Sequence, residues 1–150
     1  RRTRRKTFGR KAEDGVCFRT VAKRASDGLA QADACVIVTK GERFTLRAVP
    51  GQSARLVLRT LRHVWYETTE GVDDCFDFGE ETKLEIAVNG SVVGDFAVPL
   101  QAETFTDFRF DLPAKFVTAS ELTITVRGRY ASFAWWLYQE KDRSGNIQSK

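Results

Sequence analysis

Short runs of strictly alternating apolar and polar residues recur along most of this chain. In Glu121–Arg127 (ELTITVR), Leu122, Ile124 and Val126 alternate with Thr123 and Thr125. Lys83–Val88 repeats the pattern with Leu84, Ile86 and Val88, and Thr106–Leu112 with Phe108, Phe110 and Leu112. Glu42–Ala48 gives Phe44, Leu46 and Ala48, while Ala54–Arg59 sets Leu56 and Leu58 against Arg55 and Arg59. Successive side chains leave opposite faces of a strand, so each run reads as a strand with one face on a core and one in water. No stretch of ten or more residues sustains a 3.6-residue period. Residues 22–33 could form a turn of helix, interrupted by Gly28. About eight strands are expected, near 16–21, 34–38, 42–49, 54–62, 83–89, 92–98, 105–112, 121–127 and 132–139, with one of these nine spurious. The expected fold class is all-β, a two-sheet antiparallel sandwich of the jelly-roll kind.

Turn residues fall between these runs. Pro50-Gly51 separates two of them, and Asn89-Gly90 separates two more. Asn-Gly in such a place is a strong hairpin signal, because both residues tolerate the positive φ of a type I′ turn. The closing run, Ser132–Gln139 (SFAWWLYQ), is apolar on both parities. Phe133, Trp135 and Leu137 share one face; Ala134, Trp136 and Tyr138 share the other. Such a strand is covered on both sides, or it shows one aromatic row to a partner.

The net charge of +4 comes from one end. Residues 1–11 carry seven basic residues and no acid; removing them from 24 basic residues leaves 17 against 20 acids. Residues 1–11 therefore read as a basic arm or linker, 12–140 as one sandwich domain and 141–150 as a polar tail. A basic arm alone, with no basic ordered face behind it, does not point to a nucleic-acid partner. The chain of 150 residues opens on Arg1 and contains no Met, so it is read as a piece of a longer protein. It holds no apolar run long enough to span a membrane as a helix and no signal segment.

The single histidine, His63, has no nucleophile motif around it, and no glycine-rich phosphate loop is present. Cys17, Cys35 and Cys75 lack metal-ligand spacing, and a Cys17–Cys35 disulfide is an open expectation if the domain is secreted. No cofactor is expected. Residues 67–81 carry seven acids, including Asp73, Asp74 and Asp77, and read as a solvated loop too acidic for a simple hairpin. A calcium cage is the first alternative, although the helix–loop–helix calcium spacing is absent. A pair of catalytic carboxylates is the second.

From Gln31 to Gln139 the order of elements resembles the galactose-binding-like β-sandwich domains appended to bacterial glycoside hydrolases. The nearest likeness is to the C-terminal domain of β-L-arabinofuranosidase-type enzymes. It is carried by Val49-Pro50-Gly51, Ile86-Ala87-Val88-Asn89-Gly90, Phe110-Asp111-Leu112-Pro113-Ala114 and Ile124-Thr125-Val126-Arg127. The ending Tyr130–Trp136 is similar to the closing strand of other sugar-cleaving jelly rolls. The resemblance implies a non-catalytic accessory module of an extracellular or periplasmic enzyme. Its partner would be a glycan, or the adjacent catalytic domain of the same polypeptide. The competing expectation is a structural or protein-interaction sandwich with no ligand of its own. A sugar offers a C–H face for stacking and hydroxyls for planar donors. The candidate ligand residues on that chemistry are Trp65, Tyr66, Tyr130 and Arg129.

Overall fold

A computed structural model describes the backbone of residues 5–7, 20–67 and 73–140, and the side chains over 21–64 and 76–140. Fourteen strands lie within them: β1 (Arg5–Thr7), β2 (Thr20–Lys23), β3 (Ala30–Asp33), β4 (Val36–Val38), β5 (Gly41–Arg47), β6 (Ala54–Thr60), β7 (His63–Glu67), β8 (Asp73–Asp77), β9 (Glu81–Val88), β10 (Ser91–Pro99), β11 (Thr106–Leu112), β12 (Glu121–Arg127), β13 (Tyr130–Ser132) and β14 (Ala134–Tyr138). A single 3-10 turn, Ala114–Phe116, leads from β11 toward β12. No helix among these residues is long and apolar enough to cross a membrane.

The alternation read from sequence translates directly into burial. Glu42, Phe44 and Leu46 of β5 point inward while Arg43, Thr45 and Arg47 are exposed. β9 and β12 follow the same rule, burying Leu84, Ile86, Val88, Leu122, Ile124 and Val126. These strands form a five-stranded sheet in the order β1-β5-β12-β9-β10. A second sheet, β11-β6-β14, turns Phe110, Leu112, Leu56, Leu58, Trp135 and Leu137 toward it. The two inner faces meet through rings: Phe44 lies 5.2 Å from Trp135, and Phe96 lies edge-on to Phe110 at 4.9 Å. Two facing antiparallel sheets over a shared apolar core make a β-sandwich.

The two turns have different jobs. Asn89 (φ 50°) and Gly90 (φ 85°) close the β9–β10 hairpin as expected. Asn89 Oδ1 also accepts from the Thr123 amide, tying the hairpin to β12. Pro50-Gly51 instead carries the chain from β5 in one sheet to β6 in the other.

The strand count exceeds the expected eight for two physical reasons. Bends divide long runs, as at Phe133 between β13 and β14. Short hairpins also escape a reading based on alternation. Residues 22–33 are not helical: β2 and β3 pair as a hairpin, turning at Gly28 (φ 71°), with Arg24 bonded to Asp27. The acidic segment is likewise a hairpin, not a loop throughout, with β7 and β8 antiparallel and His63 opposite Asp77. Part of the basic run pairs too, since β1 lies on the edge of β5 with Lys6 opposite Arg43.

Candidate functional site

The outer face of the β11-β6-β14 sheet carries an arrangement unlike the rest of the surface. On β6 the residues opposite the core are Arg55, Val57 and Arg59. Register places Asp111, Arg109 and Asp107 of β11 beside them on one side, and Tyr138, Trp136 and Ala134 of β14 on the other. Three rows therefore cross the face: Asp111–Arg55–Tyr138, Arg109–Val57–Trp136 and Asp107–Arg59–Ala134.

Each row has a distinct electrostatic state. Arg59 donates to both oxygens of Asp107 at 2.8 and 3.0 Å, and this bond holds the guanidinium further in its charged form. The same guanidinium sits 5.3 Å from the centres of both the Trp136 and Phe105 rings. Arg59 thus braces the tryptophan from one side. Arg55 reaches Asp111 with a single long contact of 3.5 Å, and both groups are solvent-exposed. Arg109 is exposed and donates to no carboxylate among the described residues. Tyr138 is 50% exposed, Trp136 is half-buried, and Val57 forms the floor.

Side chains and backbone enclose two adjoining depressions. One of about 470 Å³ runs from Arg59 past Arg109 and Trp136 to Tyr138. The other, about 370 Å³, continues past Asp111 to Ser53 and Pro113. Arg55 and Tyr138 line both, so together they form one groove along β6.

The residues expected from sequence lie elsewhere. Tyr130 is fully buried, its hydroxyl donating to Glu42 Oε2 and its ring edge-on to Trp135 at 6.4 Å. It is a core residue and has no face open to a sugar, because β13 pairs with β4 and is buried at all three positions. Arg129 is exposed. Its guanidinium lies 4.4 Å over the Phe76 ring and 5.5 Å over Phe78, which stack on each other at 4.7 Å. Trp65 and Tyr66 stand on β7 opposite Cys75 and Asp74, and their side chains lie outside the described residues.

Asp73 and Asp74 stand on β8 with side chains that also fall outside them. Asp77 is already engaged. It accepts from Arg62 at 3.0 Å, from the Gly79 amide at 2.8 Å and faces His63 Nε2 at 3.1 Å. The Arg62 bond, then the Gly79 amide, hold its carboxyl well below the usual carboxylate range. Among the described residues no group of three His, Cys, Asp or Glu side chains is placed to hold a metal.

The sequence did carry a signal for the groove. The Trp136/Tyr138 row is visible in SFAWWLYQ, and Arg55 and Arg59 are visible on the polar parity of β6. Their adjacency is not, because β6 and β14 are far apart along the chain.

No family model and no curated protein matches the chain. Solved structures do. One is Xyl-CBM35 in complex with a glucuronic acid-containing disaccharide, with a TM-score of 0.51, 12% identity, and coverage of 91% of this chain and 96% of that one. The chain shares the fold of that module. A GH115 4-O-methyl-α-glucuronidase with specificity for decorated arabinogalactans gives 0.49 at 9% identity, covering 94% of this chain and 18% of the enzyme. CBM35 from Cellvibrio japonicus Abf62 gives 0.44 at 12% identity, covering 96% and 98%.

Proposed function

We propose that this chain is a non-catalytic carbohydrate-binding module of a larger carbohydrate-active protein working in an extracellular or periplasmic space. The observation that carries this reading is the Trp136/Tyr138 row set beside Arg55 and Arg109 in an open groove. An aromatic face packs against the C–H side of a sugar ring, and a guanidinium fork bonds pairs of oxygens. The shared fold with a carbohydrate-binding module supports the same conclusion. Arg129, with Trp65 and Tyr66 on the neighbouring hairpin, is a second candidate contact, supported by its exposed guanidinium over Phe76.

Isothermal titration against a glycan panel tests the proposal. Binding by the intact chain, weakened about tenfold or more by Trp136→Ala or Tyr138→Ala, is expected. Absence of heat with every glycan at millimolar concentration would overturn it. The competing reading has the same row packed against a neighbouring domain. An interdomain contact burying Trp136 and Tyr138 in the longer protein would favour that one.

A further inference from the structure

The polar wall of the groove alternates in charge. Asp107, Arg109 and Asp111 leave β11 on one exposed face, spaced about 7 Å apart at the usual strand rise. Register sets them against Arg59, Val57 and Arg55 of β6. Arg59 closes a bidentate pair with Asp107, while Arg55 reaches Asp111 at 3.5 Å. Glu140 lines the far end. Three arginines and three carboxylates therefore line the groove, and their formal charges cancel.

These pairings leave bonding capacity on both kinds of group. A carboxylate has about four acceptor positions and no proton to give, and a guanidinium donates but accepts nothing. Arg59 fills one position on each oxygen of Asp107. The side chains of Asp111 and Arg55 stay 85% and 52% exposed. Along β11 the wall thus asks a ligand to donate, then accept, then donate. A hydroxyl does both and meets every position. A carboxylated or sulfated chain cannot donate to Asp107 or Asp111, and it sets like charge beside them. An ammonium-bearing chain cannot accept from Arg109 and is repelled by it.

The opposite wall is charge-blind. Trp136 and Tyr138 stand two residues apart on β14 and offer successive ring faces. The groove is also long: from Arg59 to Ala54 it follows six residues of β6, roughly 17 Å at the usual strand rise. Both depressions share Arg55 and Tyr138, so this length is continuous and exceeds one sugar ring.

We infer that the groove takes an extended, uncharged polysaccharide chain lying along β6, with its hydroxyls bonded to Asp107, Arg109 and Asp111 and its rings stacked on Trp136 and Tyr138. The inference rests on the carbohydrate-binding reading and adds the charge class and chain form of the ligand. Selection comes from the alternating wall, which rejects acceptor-only and donor-only chains alike.

The experiment titrates the whole chain with cello-, manno- and xylo-oligosaccharides of one, two, four and six residues. Cellouronate oligomers supply the carboxylated ladder, and chitosan oligomers the amine-bearing one. At least one neutral ladder is expected to gain affinity with length and to bind about tenfold or more tighter than both charged ladders. Its affinity is expected to change less than about twofold between about 0.02 and about 0.5 M salt. Asp111→Asn removes an acceptor-only charge, so it is expected to shrink the preference over cellouronate. Arg109→Gln is expected to shrink the preference over chitosan. Trp136→Ala is expected to weaken all ladders by a similar factor, because stacking does not read charge. A charged ladder that matches or exceeds every neutral one would overturn the inference while leaving carbohydrate binding standing. So would affinity independent of length, or Asp111→Asn and Arg109→Gln variants that keep both preferences. A glycan of the broad panel that binds while every neutral ladder fails would do the same. Failure of the ladders together with every glycan in that panel would instead remove the underlying reading.

Discussion

Tyr130 and Asp77 show how a residue's surroundings decide its role. The tyrosine hydroxyl donates to Glu42 in a site from which both are shielded from water. Removing it as Tyr130→Phe keeps the ring packing and deprives a buried carboxyl of a donor. A loss of about 1–3 kcal/mol is expected, seen as a melting midpoint lower by roughly 3–8 °C. Glycan affinity is expected to stay unchanged, since the residue is remote from the groove surface. Asp77 behaves differently because it is exposed. Its folded-state pKa lies below the ordinary 3.8, through Arg62 and then the Gly79 amide. A depressed folded pKa contributes stability fully above the unfolded value and loses it as pH falls. The contribution therefore fades from about pH 5 downward. Melts from pH 6 to pH 2 are expected to fall less steeply for Asp77→Asn than for the native chain.

At the scale of elements, close approach sets the geometry of the connections. Gly128 joins β12 to β13 with φ 149°, and a Cβ there would lie 2.7 Å from Lys83 O and 2.6 Å from Leu84 Cδ2. The backbone oxygen cannot move aside as a flexible side-chain tip would. Gly128→Ala is expected to cost about 2–4 kcal/mol in chemical denaturation. Gly51 (φ 81°) has open space around its Cβ direction, so Gly51→Ala carries only conformational strain, about 1 kcal/mol. Element identity was legible wherever alternation ran for six residues or more. β5, β6, β9, β11 and β12 all lie within or against the spans that pattern marks. The β2–β3 and β7–β8 hairpins were not legible. Their strands are only four or five residues long, and charged residues such as Asp73 and Asp77 occupy positions that two-period counting reads as loop.

For the whole molecule, the oxidation state of Cys35 matters more than any surface pair. Cys35 is 1% exposed and disulfide-bonded. Its partner lies outside the described side chains, as both Cys17 and Cys75 do. The β2–β3 register sets Thr20 opposite Asp33, and these residues stand three and two positions from Cys17 and Cys35. Non-reducing peptide mapping is expected to return a Cys17–Cys35 link. Reduction, or Cys35→Ser, is expected to remove about 2–4 kcal/mol of stability. A chain whose melting is insensitive to reductant would contradict this.

Strand-forming runs, the Asn89-Gly90 hairpin, the two-sheet class and the apolar double parity of SFAWWLYQ were all determined by local sequence. They depend on side-chain alternation and turn conformation, which neighbours along the chain already specify. Tertiary structure decided which parity of each strand meets which partner. It buried Tyr130 against Glu42 and Trp135, and it drew Arg55, Arg109, Trp136 and Tyr138 from three separate strands onto one face. Sheet order causes that difference: β6 lies between β11 and β14 through hydrogen bonds between residues some 50 to 80 positions apart, and no local pattern encodes that adjacency.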